Sequence, residues 1–340
     1  MKKNVCFLLT LILAIQFFLP VPFAEAYVSL TASSAILLDP VSQKIIYARA
    51  PHRRQPLAST TKIVTALVVL DSLPLDRWVT VSSRVEGVER SKLYLKGGDR
   101  FRVIDLLKAL LINSANDAAA ALAIGVSGSE REFAALMTQK ARNLGTRNTH
   151  FVNASGLPAE GQYSTVYDLA LIMREAMKND VIVSILKQKR TTIQTANGKV
   201  FHLKSHNKML WRREGVIGKT GWTRRAKFCF VGLVRDSGHE TIVSVLGSKK
   251  LWIDLNRLAN RVTGGISKSG SQKVISFGSR GTEVKRLQFG LKHAGFFTGS
   301  TTGYFGKKTR QALLQFQKAR GLPPDGTLGI ETKKALQPYL

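Results

Sequence analysis

A short segment with almost no bulky apolar side chains divides the chain of 340 residues into two parts. Residues 264–273 read GGISKSGSQK, a mixture of glycine, serine and lysine that is typical of flexible linkers. Because such a segment buries little apolar surface, the parts on either side of it must each build a core of their own. The sequence therefore predicts a large domain over residues 27–263, a linker over 264–273 and a small domain over 274–340.

The N-terminus has the pattern of an export signal. Lys2 and Lys3 precede the apolar run VCFLLTLILAIQFFLPVPF, and the small-residue triplet AEA ends at Ala26. This arrangement predicts a signal peptide over residues 1–26, although a membrane anchor that stays in place has a similar start. Pro20 and Pro22 near the end of the run favour cleavage, so we expect no retained membrane span.

The formal net charge of +29 indicates a polyanionic partner, which could be nucleic acid, a membrane surface or an anionic cell wall. An exported protein rarely meets nucleic acid, so the cell wall is the favoured partner. We therefore expect the protein in the cell wall, the periplasm or the extracellular space.

Cysteine and histidine usage argues against a metal or another cofactor. Cys229 is the only cysteine that remains after cleavage, and it lies in the apolar stretch KFCFVGLV. A buried, inert thiol is therefore expected rather than a nucleophile, and no intramolecular disulfide can form. The histidines have no paired metal-ligand spacing, and neither a His-Glu-x-x-His motif nor a glycine-rich phosphate loop occurs.

The apolar periodicity of the large domain changes from helical to strand-like along the chain. Two apolar runs around Asp39-Pro40 predict a hairpin over Ala35–Ala50, and the stretches KVFHLKSHN, KFCFVGLVR and ETIVSVLGS predict strands. A last helix is expected in LWIDLNRLANRVT. Earlier helices are predicted over Lys62–Leu70, Phe101–Ile112, Asn116–Val126, Glu130–Gly145 and Val166–Asn179. This order favours an α+β fold with helices packed against an antiparallel sheet.

Ser59 and Lys62 stand three residues apart at the start of the apolar helix, in the stretch LASTTK. Residues at this spacing share one helix face, and a lysine whose pKa is lowered by burial and nearby cations can take the proton of a serine hydroxyl. The N-terminus of a helix also favours negative charge. Taken alone, the pattern is a weak indication of catalysis, because it occurs by chance in many chains and a helix-capping serine beside a solvated lysine is the commoner explanation.

Two further motifs strengthen the catalytic interpretation. Ser114-Ala115-Asn116 lies at the break between two apolar helices, and Lys219-Thr220-Gly221 begins the strand region. Each has a structural alternative, a helix cap for the first and an edge strand ending in a turn for the second. The order S-x-x-K, S-x-N, K-T-G is nevertheless the signature of serine acyltransferases that recognise penicillin.

The residues from about Ser33 to Thr263 resemble the D-alanyl-D-alanine carboxypeptidases, which are penicillin-binding proteins of low molecular mass. The motifs carry this resemblance, together with the stretches LLINSANDAAAALA and NTHFVNASGL. It implies a penicillin-binding/β-lactamase-like fold, in which an antiparallel sheet with helices is joined by a helical subdomain. Peptidoglycan stem peptides are the implied substrate and β-lactams the implied inhibitors.

The small domain resembles a three-helix peptidoglycan-binding domain. The stretches GSRGTEVKRLQ, GYFGKKTRQALLQFQ and GLPPDGTLGIETKKAL carry this second resemblance. It implies that the small domain binds the wall. We expect it to take the place of the C-terminal β-domain and amphipathic helix that are common in the carboxypeptidase family.

The carboxypeptidase resemblance also implies catalytic roles. Ser59 attacks the carbonyl of the penultimate D-alanine, and Lys62 is the general base. Ser114 relays a proton between Lys62 and the leaving amine, and Lys219 supports this network.

Substrate-binding roles follow from the same resemblance. Asn116 holds the acyl side of the peptide through its amide, and Thr220 contacts the terminal carboxylate. Gly221 completes the motif, and the backbone N–H groups of Ser59 and Trp222 are expected to form the oxyanion hole.

The sequence departs from the family around the third motif. Gly218 precedes it directly, and Arg224 and Arg225 crowd the hairpin that follows. His206 stands where relatives often have an arginine, so it is a candidate to hold the terminal carboxylate in its protonated form. The two arginines are the alternative candidates for this role, or are simply solvated.

The sequence thus predicts an exported serine-type D-alanyl-D-alanine carboxypeptidase that the small domain holds at the wall. The nearest alternative is a D,D-endopeptidase, which applies the same chemistry to cross-links. A β-lactamase is disfavoured because the glutamate motif that serves deacylation in class A enzymes is missing. A catalytically silent wall-binding protein would have no use for the intact motifs.

Overall fold

The computed structural model of the protein describes residues 28–89, 91–213, 215–236, 239–266 and 275–340. The predicted signal peptide lies outside these residues, as does most of the predicted linker. Within the described ranges, three clusters of buried apolar side chains form, of which two belong to the large domain and one to the small domain.

A five-stranded antiparallel sheet is the centre of the large domain, with the strand order β2-β1-β9-β8-β7. The strands are β1 (Ser34–Leu38), β2 (Ile45–Arg49), β7 (Val216–Thr223), β8 (Lys227–Asp236) and β9 (His239–Ser248). The predicted hairpin and the strands in KFCFVGLVR and ETIVSVLGS are therefore confirmed. The third motif lies on β7, at one edge of this sheet.

The two faces of the sheet bury different cores, because successive side chains of a strand point to opposite faces. Ile36 and Leu38 of β1 join the larger core, which includes the helices of the large domain. Ala35 and Leu37 face the smaller core, where α8 (Leu251–Ile266) packs.

The first helices of the large domain surround α1 (Lys62–Ser72), whose residues from Lys62 to Val69 are all buried. This confirms the prediction of a helix buried on every side. The other helices of this region are α2 (Val103–Leu111), α3 (Asn116–Ser127), α4 (Glu130–Asn143), α5 (Val166–Ala176) and α6 (Asp180–Lys187).

Two predicted helix boundaries were wrong for identifiable reasons. The helix predicted from Phe101 begins at Val103, because Arg100–Arg102 forms strand β4 and pairs with β3 (Trp78–Thr80). The helix predicted to end at Asn179 ends at Ala176, because the Asn179 side chain caps α6 by accepting hydrogen bonds from the backbone of that helix.

A second hairpin, formed by β5 (Arg190–Gln194) and β6 (Val200–Lys204), precedes the short helix α7 (Met209–Arg212). Only its second strand, in KVFHLKSHN, was predicted. The chain passes from α7 into β7, so this hairpin lies close in sequence to the third motif.

Residues 275–340 of the small domain form three α-helices, as predicted: α9 (Thr282–His293), α10 (Lys307–Ala319) and α11 (Ile330–Leu336). Phe305, Leu313 and Phe316 lie in its core. α8 continues through Gly264 to Ile266, so this helix extends into the first three residues of the predicted linker. A helix that is already packed upstream extends at little cost into residues with low helix propensity.

Candidate active site

Ser59 lies in a 3₁₀ turn, Ala58–Thr61, that leads directly into α1. The side chains of Thr60 and Thr61 hold this turn by donating to the carbonyls of Leu57 and Ala58, at 2.6 and 2.8 Å. Ala58 has a φ of +47°, which is uncommon for a residue other than glycine. Strained backbone of this kind is typical of functional sites, and here it precedes the candidate nucleophile.

Lys62 is completely buried beneath Ser59. Its Nζ lies 2.9 Å from Ser59 Oγ, 2.7 Å from Asn116 Oδ1 and 2.7 Å from the carbonyl oxygen of Ser155. Burial, and then the charge of Lys219, lower the pKa of Lys62 well below its ordinary value. A neutral amine in this position can donate to Asn116 and Ser155 while its lone pair accepts the proton of Ser59.

Ser114 and Lys219 form a second pair of this kind. Lys219 Nζ donates to Ser114 Oγ at 2.9 Å and to the carbonyl of Thr220 at 2.8 Å. Burial lowers the pKa of Lys219 to about 7. Ser114 lies in the break between α2 and α3. Its backbone there is in the left-handed conformation, with a φ of +60°.

Asn116 begins α3 and connects the first pair to the wall of the cleft. Its Oδ1 accepts from Lys62, and its Nδ2 donates to the carbonyl of Glu89 at 3.1 Å. The structure therefore links Lys62 to Asn116 and Lys219 to Ser114 by hydrogen bonds, and the proton relay between Lys62 and Ser114 that the resemblance implies stays a prediction.

Gly221 allows β7 to approach the nucleophile turn very closely. A Cβ atom at this position would lie 2.7 Å from the backbone nitrogen of Ser59 and 3.2 Å from that of Thr60. Any larger residue would push the strand away from Ser59. The glycine therefore brings the backbone of β7, with Trp222 as its next residue, to the backbone N–H of Ser59.

The glycine at position 218 is one of the departures from the family. A larger residue there would be excluded by steric clashes. Its φ is +157°, and a Cβ atom there would lie 2.4 Å from the carbonyl oxygen of Val231 and 2.6 Å from the Cα of Gly232. The same added atom would also meet the ring of Phe230 at 2.7 Å. Two facing glycines thus accommodate a buried aromatic ring beneath the third motif.

A cavity of about 570 Å³ is lined by both Ser59 and Ser114. Several of the predicted site residues line it: Ser59, Ser114, Asn116, His206, Thr220, Gly221 and Trp222. Arg224, one of the alternative candidates for the carboxylate, lines it as well. The Trp222 side chain is 58% exposed, so it offers an apolar surface at the mouth of the cavity.

Sequence reasoning missed the loop over Asn153–Leu157 as part of the site. Its Ser155 carbonyl accepts from Lys62, and Thr65 of α1 donates to the carbonyl of Ala154 at 2.7 Å. Gly156 has a φ of +84°, and an added Cβ atom would lie only 1.9 Å from the Ala58 carbonyl oxygen. The turn residues in NASGL were the available signal, but they do not reveal a backbone ligand for a buried lysine.

His206 lines the cavity, and its pKa bears on the role expected for it. Loss of solvent, followed by the charges of Lys219 and Lys62, lowers the pKa of His206 to about 4. Burial is the larger cause, and it favours the neutral imidazole near neutral pH in the free protein. The lowered pKa of His206 disfavours its protonated form in the free protein, and its role in holding the carboxylate stays a prediction.

Cys229 is fully buried, which confirms the prediction of a buried thiol, and burial raises the pKa of this thiol to about 12. Among the described residues, no group of three or more histidine, cysteine, aspartate or glutamate side chains is placed to hold a metal ion. None of the helices within these residues is long and apolar enough to cross a membrane.

Comparison with known proteins decides the family. The sequence model of the D-alanyl-D-alanine carboxypeptidases matches residues 22–250 of the chain. The protein belongs to this family. A second model, for a peptidoglycan binding domain, matches residues 280–336.

Curated relatives of this carboxypeptidase-family protein carry the corresponding name. DacF of Bacillus subtilis strain 168 is 34% identical over 224 residues, which cover 64% of this chain and 57% of the relative. DacC of Escherichia coli K12 is 34% identical over 254 residues, with coverage of 70% and 62%. Both are named D-alanyl-D-alanine carboxypeptidases, and this chain spans about three fifths of their length.

Solved structures confirm the fold. The DD-transpeptidase of Streptomyces K15 has a TM-score of 0.65 at 32% identity, covering 70% of this chain and 98% of that one. The D-alanyl-D-alanine carboxypeptidase of Mycobacterium tuberculosis H37Rv has a TM-score of 0.66 at 30% identity, covering 71% and 95%. The predicted α+β fold of the penicillin-binding type is therefore correct.

Proposed function

We propose that the protein is an exported serine-type D-alanyl-D-alanine carboxypeptidase that removes the terminal D-alanine from peptidoglycan stem peptides. The buried Lys62 amine, 2.9 Å from the Ser59 hydroxyl, is the observation that carries this proposal. A buried amine with a lowered pKa beside a serine has the arrangement that nucleophilic catalysis requires.

Acylation begins when Ser59 Oγ attacks the carbonyl carbon of the penultimate D-alanine and Lys62 takes the hydroxyl proton. The backbone N–H groups of Ser59 and Trp222 stabilise the negative charge on the carbonyl oxygen. The C–N bond then breaks, and the leaving amine takes a proton from Lys62 through Ser114, which Lys219 holds in place. Water hydrolyses the ester on Ser59 and restores the free enzyme.

The substrate lies extended beside the edge strand β7. An edge strand presents unpaired backbone groups, and an added peptide strand can bind to them. Asn116 faces the acyl side, and Thr220 contacts the terminal carboxylate near the charge of Lys219. β-Lactams enter the same cleft and acylate Ser59, and slow hydrolysis of that ester traps the enzyme.

The small domain holds the enzyme at the wall, so that stem peptides are present at high effective concentration. Deletion of residues 268–340 should spare hydrolysis of a small soluble peptide but release the protein from insoluble sacculi. Tryptophan fluorescence provides the folding control, because all the tryptophans of the chain precede residue 268. A truncated protein that pelleted with sacculi as well as the full chain would contradict this role.

Product analysis by mass spectrometry, with a stem pentapeptide and with a cross-linked dimer as substrates, tests the proposed activity. We expect release of free D-alanine from the pentapeptide and a covalent adduct of a fluorescent penicillin on Ser59. A folded protein that gave neither the adduct nor D-alanine would be a silent wall-binding protein instead.

A further inference from the structure

Asp117 is a buried carboxylate on the first turn of α3, directly after Asn116. Its Oδ2 accepts from the backbone N–H groups of Leu93 and Leu95, at 2.9 and 3.1 Å, and its Oδ1 accepts from that of the following residue at 2.9 Å. The chain before β4 is therefore fixed to the start of α3, at the point where Asn116 Oδ1 accepts from Lys62.

Glu130 is a second carboxylate near the same lysine, on the first turn of α4. Its side chain is half-buried, and its Oε1 accepts from the backbone N–H of Ala154 at 3.4 Å, which is a long hydrogen bond. The next residue, Ser155, supplies the carbonyl oxygen that accepts from Lys62 at 2.7 Å. Each of the two oxygen atoms that accept from Lys62 besides Ser59 Oγ thus lies next to a residue that provides or contacts a carboxylate.

The charges of the two carboxylates oppose the effect of burial on Lys62. Burial, and then the charge of Lys219 on β7, lower the pKa of Lys62, whereas the charges of Asp117 and then Glu130 raise it. His206, on the segment before α7, also interacts with the charge of Lys62. The lysine therefore lies between two groups that favour its protonated form and its buried surroundings, which favour the neutral amine.

This balance matters because a general base needs an intermediate basicity. A lysine with an ordinary pKa is protonated near neutral pH and cannot accept a proton, whereas a lysine with a very low pKa is neutral but binds the proton weakly. Burial alone drives Lys62 towards the second case. Two nearby carboxylates offset part of this effect without exposing the amine to solvent.

Both carboxylates also have a purely structural explanation. An acidic side chain on the first turn of a helix interacts favourably with the helix dipole. This explanation accounts for the positions of Asp117 and Glu130, but it gives their charges no influence on Lys62. The two explanations therefore differ in a measurable quantity, the pH at which Lys62 becomes an effective base.

We propose that Asp117 and Glu130 are positioning residues for the general base: each holds a backbone segment beside Lys62, and their charges keep the amine basic enough to take the proton of Ser59. This inference rests on the proposed function, because it requires Lys62 to accept that proton. Neither carboxylate has to contact the substrate, and the steps of the proposed reaction stay the same.

The test is the pH dependence of acylation by a fluorescent penicillin, measured as a second-order rate constant from about pH 5 to 10. Asp117→Asn and Glu130→Gln remove one charge each but keep a carbonyl oxygen that can accept from the backbone. Asp76→Asn and Glu160→Gln are the matched controls, because they remove the same charge at exposed positions. Glu130→Asp is a conservative variant that keeps the charge.

We expect the rate constant to rise with pH on the acid limb, because the neutral form of Lys62 accepts the proton. Loss of a nearby negative charge favours the neutral amine, so the midpoint of this limb should move to lower pH, by about one unit in Asp117→Asn and about half a unit in Glu130→Gln. The plateau above the limb should fall about threefold in Asp117→Asn, since a less basic amine is a weaker proton acceptor. The two controls and Glu130→Asp should keep the wild-type midpoint.

The inference would be overturned by an unchanged midpoint in Asp117→Asn and Glu130→Gln, provided that thermal melts show both variants to be folded. An equal shift in the exposed controls would overturn it as well, because the effect would then be one of net charge. Should Asp117→Asn fail to fold, the comparison of Glu130→Gln with Glu130→Asp decides alone, and an equal midpoint in these two variants would refute the charge effect.

Failure of the proposed function would look different. The wild type would then form no penicillin adduct at any pH, and the proposed function and this inference would fall together. A wild type that is acylated with a clear acid limb, beside folded variants with the same midpoint, would refute only the role of the two carboxylates.

Discussion

The two domains bury polar side chains equally deeply but use them differently. Lys62 and Lys219 of the large domain, and Gln288 and Gln317 of the small domain, are all no more than 1% exposed. The lysines are potentially charged, whereas the glutamines are neutral. The difference in charge decides whether the buried group stabilises the fold or serves the reaction.

Each of the two buried glutamines of the small domain holds a later loop against its helix. Gln288 accepts from the backbone N–H of Gly303 at 2.9 Å and donates to the carbonyl of Tyr304 at 2.9 Å. Gln317 accepts from Gly326 at 3.0 Å and donates to the carbonyl of Thr327 at 2.9 Å. Each helix thus fixes a later loop through an amide whose hydrogen bonds are satisfied, and such buried networks stabilise a fold.

The lysines of the large domain are hydrogen-bonded as well, yet burial lowers the pKa of both. The folded state therefore disfavours their protonated forms, which is a loss of stability at neutral pH. What the protein gains is an amine that can accept a proton from Ser59. Functional sites commonly sacrifice stability in this way.

The largest effect should follow from removal of the nucleophile beside Lys62. Ser59→Ala should reduce penicillin acylation and D-alanine release by a factor on the order of 10⁴ or more, while the protein stays folded. Labelling with fluorescent penicillin and a thermal melt measure both properties. Ser184→Ala, at an exposed position of α6, is the control and should keep full activity. A stable penicillin adduct on another residue of Ser59→Ala would refute the assignment.

The stability of the large domain should depend on pH through Lys219. Its pKa is about 7 in the folded protein and near 10.5 in the unfolded chain, so the unfolded state binds more protons between these values. The free energy of unfolding should therefore rise with pH in this window, by about 2 kcal/mol between pH 7 and 9. Denaturant melts followed by tryptophan fluorescence report on this domain alone, because the small domain has no tryptophan.

Lys219→Met should flatten this rise, and the exposed Lys227→Met should not. Above pH 9, Cys229 makes the free energy of unfolding fall as pH rises. The pKa of its thiol is raised in the folded protein, so the unfolded chain loses the thiol proton first. A slope that is the same in wild type and Lys219→Met would show that the folded protein does not disfavour the protonated lysine.

The sequence predicted which residues carry the chemistry of this site better than it predicted the hydrogen bonds between them. Ser59, Ser114 and Lys219 could be identified because each belongs to a short motif, and α1 because its apolar run is continuous. The contact of Lys62 with the Ser155 carbonyl joins residues 93 positions apart through a backbone atom, which no residue pattern shows. The three-residue strands β3 and β4 were missed because elements this short have almost no periodicity.

In the small domain, loss of a buried amide should affect stability and leave catalysis intact. Gln317→Leu would remove the partner of the buried Gly326 N–H and of the partly buried Thr327 carbonyl. We expect the small domain to lose about 2–3 kcal/mol of unfolding free energy, measured by hydrogen exchange of its amides. Penicillin acylation should not change. The exposed Gln315→Leu on the same helix is the control, and a loss of acylation in Gln317→Leu would show that the two domains are energetically coupled.

The smallest effect is expected at His206, where the polar cluster of the cleft reaches solvent. Because its pKa is about 4, His206 is neutral between pH 5.5 and 8 and can contribute a hydrogen bond to the terminal carboxylate but no charge. His206→Ala should therefore raise KM for a D-Ala-D-Ala peptide by only about threefold, which corresponds to one neutral hydrogen bond. The ratio of mutant to wild-type KM should stay constant across this pH range. His206→Arg would add a permanent cation at the position where relatives often have one, and it should lower KM below the wild-type value. A ratio that instead fell as pH rose through the ordinary histidine pKa would show that His206 binds substrate in its protonated form, and that the charge of the bound carboxylate outweighs the two buried lysines.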